Sequence, residues 1–220
     1  QNPVSLDSLT TKTDDFHAFT AAETLDNVDR TGDGDFADVV LTLQDRETGR
    51  FQRLGAPSGF AADGAPLPGC GLAGTPQGRA ILEVQNGPFV LPALAIEGHV
   101  AAFVEREVGE GSCDENGDGD HVDGILRVFT VPGDERTAGG SAPRAVDPSL
   151  KINGRSLAVS NGRVFFRSLV PSDDDDKLSD RSGDFEHDAS VLEVLDTVSG
   201  GVTALCPAEQ AAVQDGRVAF

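Results

Sequence analysis

The stretch Leu157-Ala158-Val159-Ser160-Asn161-Gly162-Arg163-Val164-Phe165-Phe166 recurs as Ala211-Ala212-Val213-Gln214-Asp215-Gly216-Arg217-Val218-Ala219-Phe220. A looser copy runs from residue 94 to 103, with Glu97-Gly98-His99 at its centre, and Asp14-Asp15-Phe16-His17-Ala18-Phe19 matches the second half of a fourth. Each copy is a short apolar run, two turn residues and a second apolar run. Asn-Gly and Asp-Gly supply the positive φ angles that a two-residue hairpin demands, so the pattern predicts a β-hairpin at each copy. Recurrence of one supersecondary unit along a chain means that neighbouring units bury one another's apolar faces. This constrains the fold more than any other feature.

An acidic stretch and then a third strand follow each second strand. The predicted third strands are Val39-Val40-Leu41-Thr42-Leu43, Ile125-Leu126-Arg127-Val128-Phe129 and Val191-Leu192-Glu193-Val194-Leu195. Their alternation predicts one buried face each. Two of them reach a similar turn, Glu47-Thr48-Gly49 and Val198-Ser199-Gly200, and then a fourth strand, Phe51-Gln52-Arg53-Leu54 and Val202-Thr203-Ala204-Leu205. A weaker fourth strand lies around Arg144-Ala145-Val146. The expected architecture is all-β, a β-propeller or partial propeller of four-stranded antiparallel blades, with residues 1–220 forming one propeller region. Blade-like units fall at about 9–79, 92–150 and 155–207, with an incomplete unit at 211–220. Residues 80–91 read as an inserted pair of short strands around Asn86-Gly87, and 55–79 and 133–148 as loops rich in Gly, Ala and Pro.

Two acidic stretches share one spacing. Asp29, Thr31, Asp33, Asp35 and Asp38 match Asp114, Asn116, Asp118, Asp120 and Asp123, with glycines at Gly32, Gly34, Gly117 and Gly119. Ca²⁺ takes about six to eight oxygen ligands at roughly 2.3–2.6 Å, and alternating short oxygen-bearing side chains on a tightly turning backbone provide them. A backbone carbonyl and water complete the expected shell. The loops are not EF-hands. That motif needs a bidentate Glu at about its twelfth position and flanking helices, whereas Val40 and Ile125 stand there and β-type sequence follows. A third stretch, Asp180, Asp184, Glu186 and Asp188, is a degenerate version with Phe185 in a glycine position. Asp173, Asp174, Asp175, Asp176 and Lys177 just before it read as a solvated acidic loop.

With 37 acidic and 17 basic residues the chain carries a formal charge of −20. A nucleic-acid or anionic-membrane partner needs a basic footprint, which this composition excludes. There is no Trp or Tyr on which to stack sugars or bases. No apolar run is long enough to cross a membrane as a helix. Three cysteines, Cys70, Cys113 and Cys206, allow at most one internal disulfide; Cys70–Cys113 is one pairing that spacing alone does not establish. Weak Ca²⁺ sites fill at the concentrations found outside cells, so an extracellular or periplasmic setting is expected. A chain that opens on Gln1 reads as a processed or excised piece.

The Asn161-Gly162-Arg163-Val164-Phe165-Phe166 hairpin, followed by Val191-Leu192-Glu193-Val194-Leu195-Asp196 and Ser199-Gly200, resembles the blades of TolB-like and WD-repeat-like propellers. Asp114-Glu115-Asn116-Gly117-Asp118-Gly119-Asp120 also resembles the calcium loop of FG-GAP, or integrin-type, propellers. There the resemblance implies an aspartate one place earlier than Asp38 and Asp123, so the TolB-like strand order is the better match. The resemblance implies further blades beyond the three complete ones. Such folds host binding modules and enzymes alike.

No Gly-x-Ser-x-Gly elbow, phosphate-binding glycine loop or His-x-x-x-His pair occurs. His121 and His187 sit within acidic stretches and read as turn residues. The expected function is a Ca²⁺-stabilised binding or scaffold module of a secreted or cell-surface protein, with a protein or surface ligand as partner. The alternative is a propeller-fold hydrolase with its active site on the channel face or in another domain.

Overall fold

A computed structural model describes residues 16–46, 51–52, 79–86, 89–106, 124–130, 144–145, 151–152, 157–169, 190–208 and 210–219. Among these residues the chain is all-β, apart from one 3-10 turn at Glu23–Leu25. The first sheet contains β1 (Phe16–Ala22), β2 (Val39–Asp45), β3 (Phe51–Gln52) and β4 (Arg79–Ala80). A separate hairpin follows, β5 (Glu83–Asn86) and β6 (Phe89–Pro92). The second sheet contains β7 (Leu94–Glu97), β8 (Val100–Arg106), β9 (Gly124–Thr130) and β10 (Arg144–Ala145). The third contains β11 (Lys151–Ile152), β12 (Ala158–Ser160), β13 (Arg163–Leu169), β14 (Ser190–Asp196) and β15 (Val202–Pro207). A last hairpin joins β16 (Ala212–Gln214) to β17 (Arg217–Ala219). All pairings are antiparallel, and none of these sheets closes on itself.

Each of the three larger sheets is built on the same two-strand ladder. β1 pairs with β2 from Phe16↔Asp45 to Ala22↔Val39, β8 with β9 from Val100↔Thr130 to Arg106↔Gly124, and β13 with β14 from Arg163↔Asp196 to Leu169↔Ser190. The hairpin chemistry read from the sequence holds at two turns. Asn161 and Gly162 have φ of 51° and 70°, and Asp215 and Gly216 have 50° and 71°.

The core lies between successive sheets. Ala101 and Phe103 of β8 face Ala18, Leu41 and Leu43 of the first sheet. Their neighbours Ala102 and Val104 face Val164 and Phe166 of the third. Both faces of the middle sheet are therefore covered. The expectation of one buried face fails for β9, where Ile125, Leu126, Arg127, Val128 and Phe129 are all buried. Truncating Phe103 or Phe166 to Ala would cost about 3–5 kcal/mol, the usual penalty for emptying an aromatic site in a packed core.

The chain stitches one sheet to the next. Arg79–Ala80 pairs with Leu41 and Val40 of β2. One residue later Ile81 donates its amide to the Val39 carbonyl at 2.8 Å and bridges to Glu105 of β8. Leu82 then donates to the Val104 carbonyl at 2.8 Å, and the Val104 amide donates to the Ala93 carbonyl at 3.0 Å. The β5–β6 hairpin is an excursion between Leu82 and Ala93. Across the seam between the first two sheets, buried Glu105 accepts hydrogen bonds from Arg79 Nη1, at 2.6 Å, and from Arg127 Nε.

Hairpin turns also touch from one unit to the next. Glu97, Ser160 and Gln214 hold equivalent places, each paired with the residue that follows its turn. Asn161 donates its amide to Glu97 Oε2 at 2.5 Å, and Gly216 donates its amide to Ser160 Oγ at 2.9 Å. The donor shifts from the first to the second turn residue as the acceptor shortens from Glu to Ser. Glycine suits position 216, because its φ of 71° would strain a side chain and a Cβ there would push the Asn161 amide aside. Cys206, on β15, is a free thiol; Cys70 and Cys113 lie outside the described residues.

Candidate metal centre

The acidic loop that joins β1 to β2 begins at the 3-10 turn. Its neck is closed by the main chain: the Glu23 amide donates to the Asp38 carbonyl at 2.9 Å. The Glu23 carbonyl in turn accepts from the Asn27 amide at 2.9 Å, and Asn27 takes a φ of 53° to make that turn. The ladder Ala22↔Val39 dictates this arrangement. The residue after β1 and the residue before β2 must lie side by side, and these are Glu23 and Asp38.

Glu23 turns its side chain into the loop and is fully buried, at 0% exposure. Its Oε1 accepts from the Arg30 amide at 2.5 Å and the Thr31 amide at 3.0 Å. Its Oε2 is buried and has no hydrogen-bond partner. A buried carboxylate oxygen without a donor is costly, because water is lost and nothing replaces it. The Arg30 guanidinium does not fill the gap. Arg30 extends toward Asp26, donating from Nη1 at 2.9 Å and Nη2 at 2.5 Å, which holds the Asp26 carboxyl below its usual range.

One oxygen each from Glu23, Asp35 and Asp38 lie within 4.8 Å of one another. Glu23 and Asp38 are buried and Asp35 is exposed, so the group has a dry floor and an open side. Burial pushes the Asp38 carboxyl up to about 7, helped by the negative charges of Asp33, Glu23 and Asp35 and opposed by Arg106. These carboxylates crowd one another, with Arg106 as the opposing positive charge on Asp38. Oxygens bound to one Ca²⁺ lie up to about 4.6–5.2 Å apart across its shell, given the 2.3–2.6 Å bond lengths. The three carboxylates fit that span.

The remaining acidic side chains of this loop shape its backbone. Asp29 Oδ1 accepts from the Gly32 amide at 2.5 Å and Asp29 Oδ2 from the Gly34 amide at 3.1 Å. Gly32 and Gly34 sit at φ of 83° and 100°, and the carboxylate ties that left-handed path together. Thr31 is buried, with its hydroxyl 3.5 Å from both Glu23 Oε1 and Asp29 Oδ1. Asp33 Oδ1 accepts from the Asp35 amide at 3.0 Å, and Asp35 Oδ1 from the Ala37 amide at 2.7 Å.

Of the residues singled out by acidic spacing, Asp35 and Asp38 therefore meet in one group, while Asp29, Thr31 and Asp33 brace the loop around it. Glu23 joins from outside the spacing pattern. Asp114, Asn116, Asp118, Asp120 and Asp123, and the third set Asp180, Asp184, Glu186 and Asp188, lie outside the described residues. Among the described residues no helix is long and apolar enough to cross a membrane. No protein-family model matches the chain, and no curated protein matches it.

Proposed function

We propose that the chain is a calcium-stabilised, propeller-type module of a secreted or cell-surface protein, acting as a binding or scaffold unit. The observation that carries this reading is the repetition of one ladder. Three antiparallel pairs of seven residues each pack face to face, and the hairpin turns of β7–β8, β12–β13 and β16–β17 touch in series. A propeller-type array suits this pattern, since each blade covers its neighbour and the turns converge on one edge. The acidic loop supports the calcium element, because three carboxylates converge there and the buried Glu23 Oε2 has no hydrogen-bond donor. A charge of −20 favours a partner that is neither nucleic acid nor an anionic bilayer.

Thermal melting in calcium and in chelator tests the reading. One site that binds only the native state adds about 2.7 kcal/mol when free calcium is 100 times Kd. For a chain of this size that is a rise of about 5–10 °C in Tm. Identical melts at millimolar calcium and in chelator would remove the calcium element.

A further inference from the structure

We propose that Glu23, Asp35 and Asp38 form a calcium site in which Glu23, from outside the acidic spacing pattern, supplies the buried inner ligand through Oε2. The proposal rests on the calcium element of the functional reading and assigns the residues that carry it. Two independent observations meet at one place. The first is the convergence of three carboxylate oxygens within 4.8 Å. The second is Glu23 itself, fully buried, with one oxygen saturated by two main-chain amides and the other without a partner. The two amides on Oε1 fix the carboxylate plane and leave Oε2 as the oxygen available to a ligand.

The donor chemistry selects the ion. Three carboxylates and no nitrogen or sulfur make a hard, all-oxygen set, which suits Ca²⁺, Mg²⁺ or Mn²⁺ and not the softer transition metals. Mg²⁺ demands near-ideal octahedral geometry at about 2.0–2.1 Å and gives up its waters reluctantly. A floor of buried carboxylates on a glycine-turned loop instead suits the larger and more adaptable shell of Ca²⁺. Exposed Asp35 leaves the outer side open to water ligands. Asp29 is a positioning residue: its two oxygens hold the Gly32 and Gly34 amides and so set the curvature that brings Asp35 back toward Glu23.

The site also ties two strands together. Glu23 follows the last residue of β1 and Asp38 precedes the first residue of β2. An ion held between them closes the end of that ladder, in series with the Glu23 amide to Asp38 carbonyl bond.

Calorimetric titration with calcium tests the assignment on the intact chain and on Glu23→Gln, with Asp196→Asn as a control that removes a distant charge. Gln keeps the acceptor for the Arg30 and Thr31 amides, so the fold is retained and is verified by circular dichroism. The expected result is loss of one calcium equivalent, or at least a tenfold weaker site, in Glu23→Gln alone. Asp35→Asn should weaken the same site, and a tenfold excess of Mg²⁺ should not displace calcium from the intact protein. If Glu23→Gln binds as many ions as tightly as the parent, the assignment of Glu23 falls while calcium binding stands. If the parent chain binds no calcium at millimolar concentration, the functional reading falls with it. Equal losses in Glu23→Gln and Asp196→Asn would show a diffuse charge effect and would also overturn the site.

Discussion

Glu105 and Glu23 are both withdrawn from water, at 1% and 0% exposure, and they are neutralised by different means. Glu105 lies in the seam between the first and second sheets, with Arg79 on one oxygen and Arg127 on the other. Its countercharge is part of the chain and is always present. Glu23 lies at the mouth of an acidic loop, its inner oxygen has no donor, and Arg30 is engaged with Asp26. In the proposed site its countercharge comes from solution. The same side chain thus serves as a permanent rivet in one place and as a conditional one in the other. The distinction turns on whether an arginine on a neighbouring strand reaches the carboxylate.

The largest expected effect is at the permanent rivet. Glu105→Ala removes the carboxylate that the buried Arg79 and Arg127 share, and breaking a buried ion pair in this way costs about 3–5 kcal/mol. Urea unfolding should show that loss equally in calcium and in chelator. A loss that vanished in calcium would mean that the two glutamates are not independent.

A smaller effect of opposite sign is expected at Glu23. In chelator, Glu23→Gln removes a buried negative charge beside Asp35 and Asp38 and should leave the metal-free protein unchanged or about 1 kcal/mol more stable, the usual relief for a like-charge contact. Denaturant midpoints in chelator measure this. A clear destabilisation would show that the carboxylate has a cationic partner within the chain, and the contrast with Glu105 would collapse.

The smallest effect concerns a solvent-exposed carboxylate held by the donors of its own turn. Asp196 accepts from the Ser199 amide at 2.8 Å, the Ser199 hydroxyl at 3.1 Å and the Val198 amide at 3.1 Å, across the turn between β14 and β15. These bonds, led by the Ser199 amide, hold its carboxyl below the ordinary 3.8. A folded pKa below the unfolded one stabilises the turn at pH above that ordinary value. The contribution is lost as pH falls through the folded pKa. The Ser199 amide resonance should therefore titrate with a midpoint under 3.8, and a midpoint at or above it would remove the effect.

Much of this architecture is legible in the sequence where one residue pair decides a conformation. Asn161-Gly162 and Asp215-Gly216 announce their turns because few other pairs tolerate two positive φ angles in succession. The seven-residue ladders follow from the apolar runs on either side. The two-residue strands Arg79–Ala80 and Lys151–Ile152 are not legible, since two residues carry no period. The double burial of β9 is hidden by Arg127, which reads as a solvent-facing position until Glu105 is seen beside it. Glu23 is invisible to a search for acidic spacing because it reaches the loop across a strand register.

That register supplies the signal that was missing. Two of the proposed ligand positions are the residue after the second strand and the residue before the third. In the second unit, where Arg106 pairs with Gly124, the sequence has Glu107 and Asp123 at those positions. In the third unit, where Leu169 pairs with Ser190, it has Val170 and Ala189. Two of the three acidic stretches therefore carry the full complement of carboxylates.

The series of touching turns has a polarity. Both contacts join an acceptor in one unit to a main-chain donor in the next, Glu97 to Asn161 and Ser160 to Gly216. Gln214 is exposed and occupies the acceptor position in the last hairpin. A head-to-tail contact differs from a two-fold one in having no intrinsic stopping point: it ends only when accumulated rotation brings the last unit back to the first. In the propeller-type array proposed above, the local contacts specify how one unit follows another, while the angle between sheets sets the number of units. In that array, a change of angle from repacking the residues around Phe103 or Phe166 alters the count without altering any single joint.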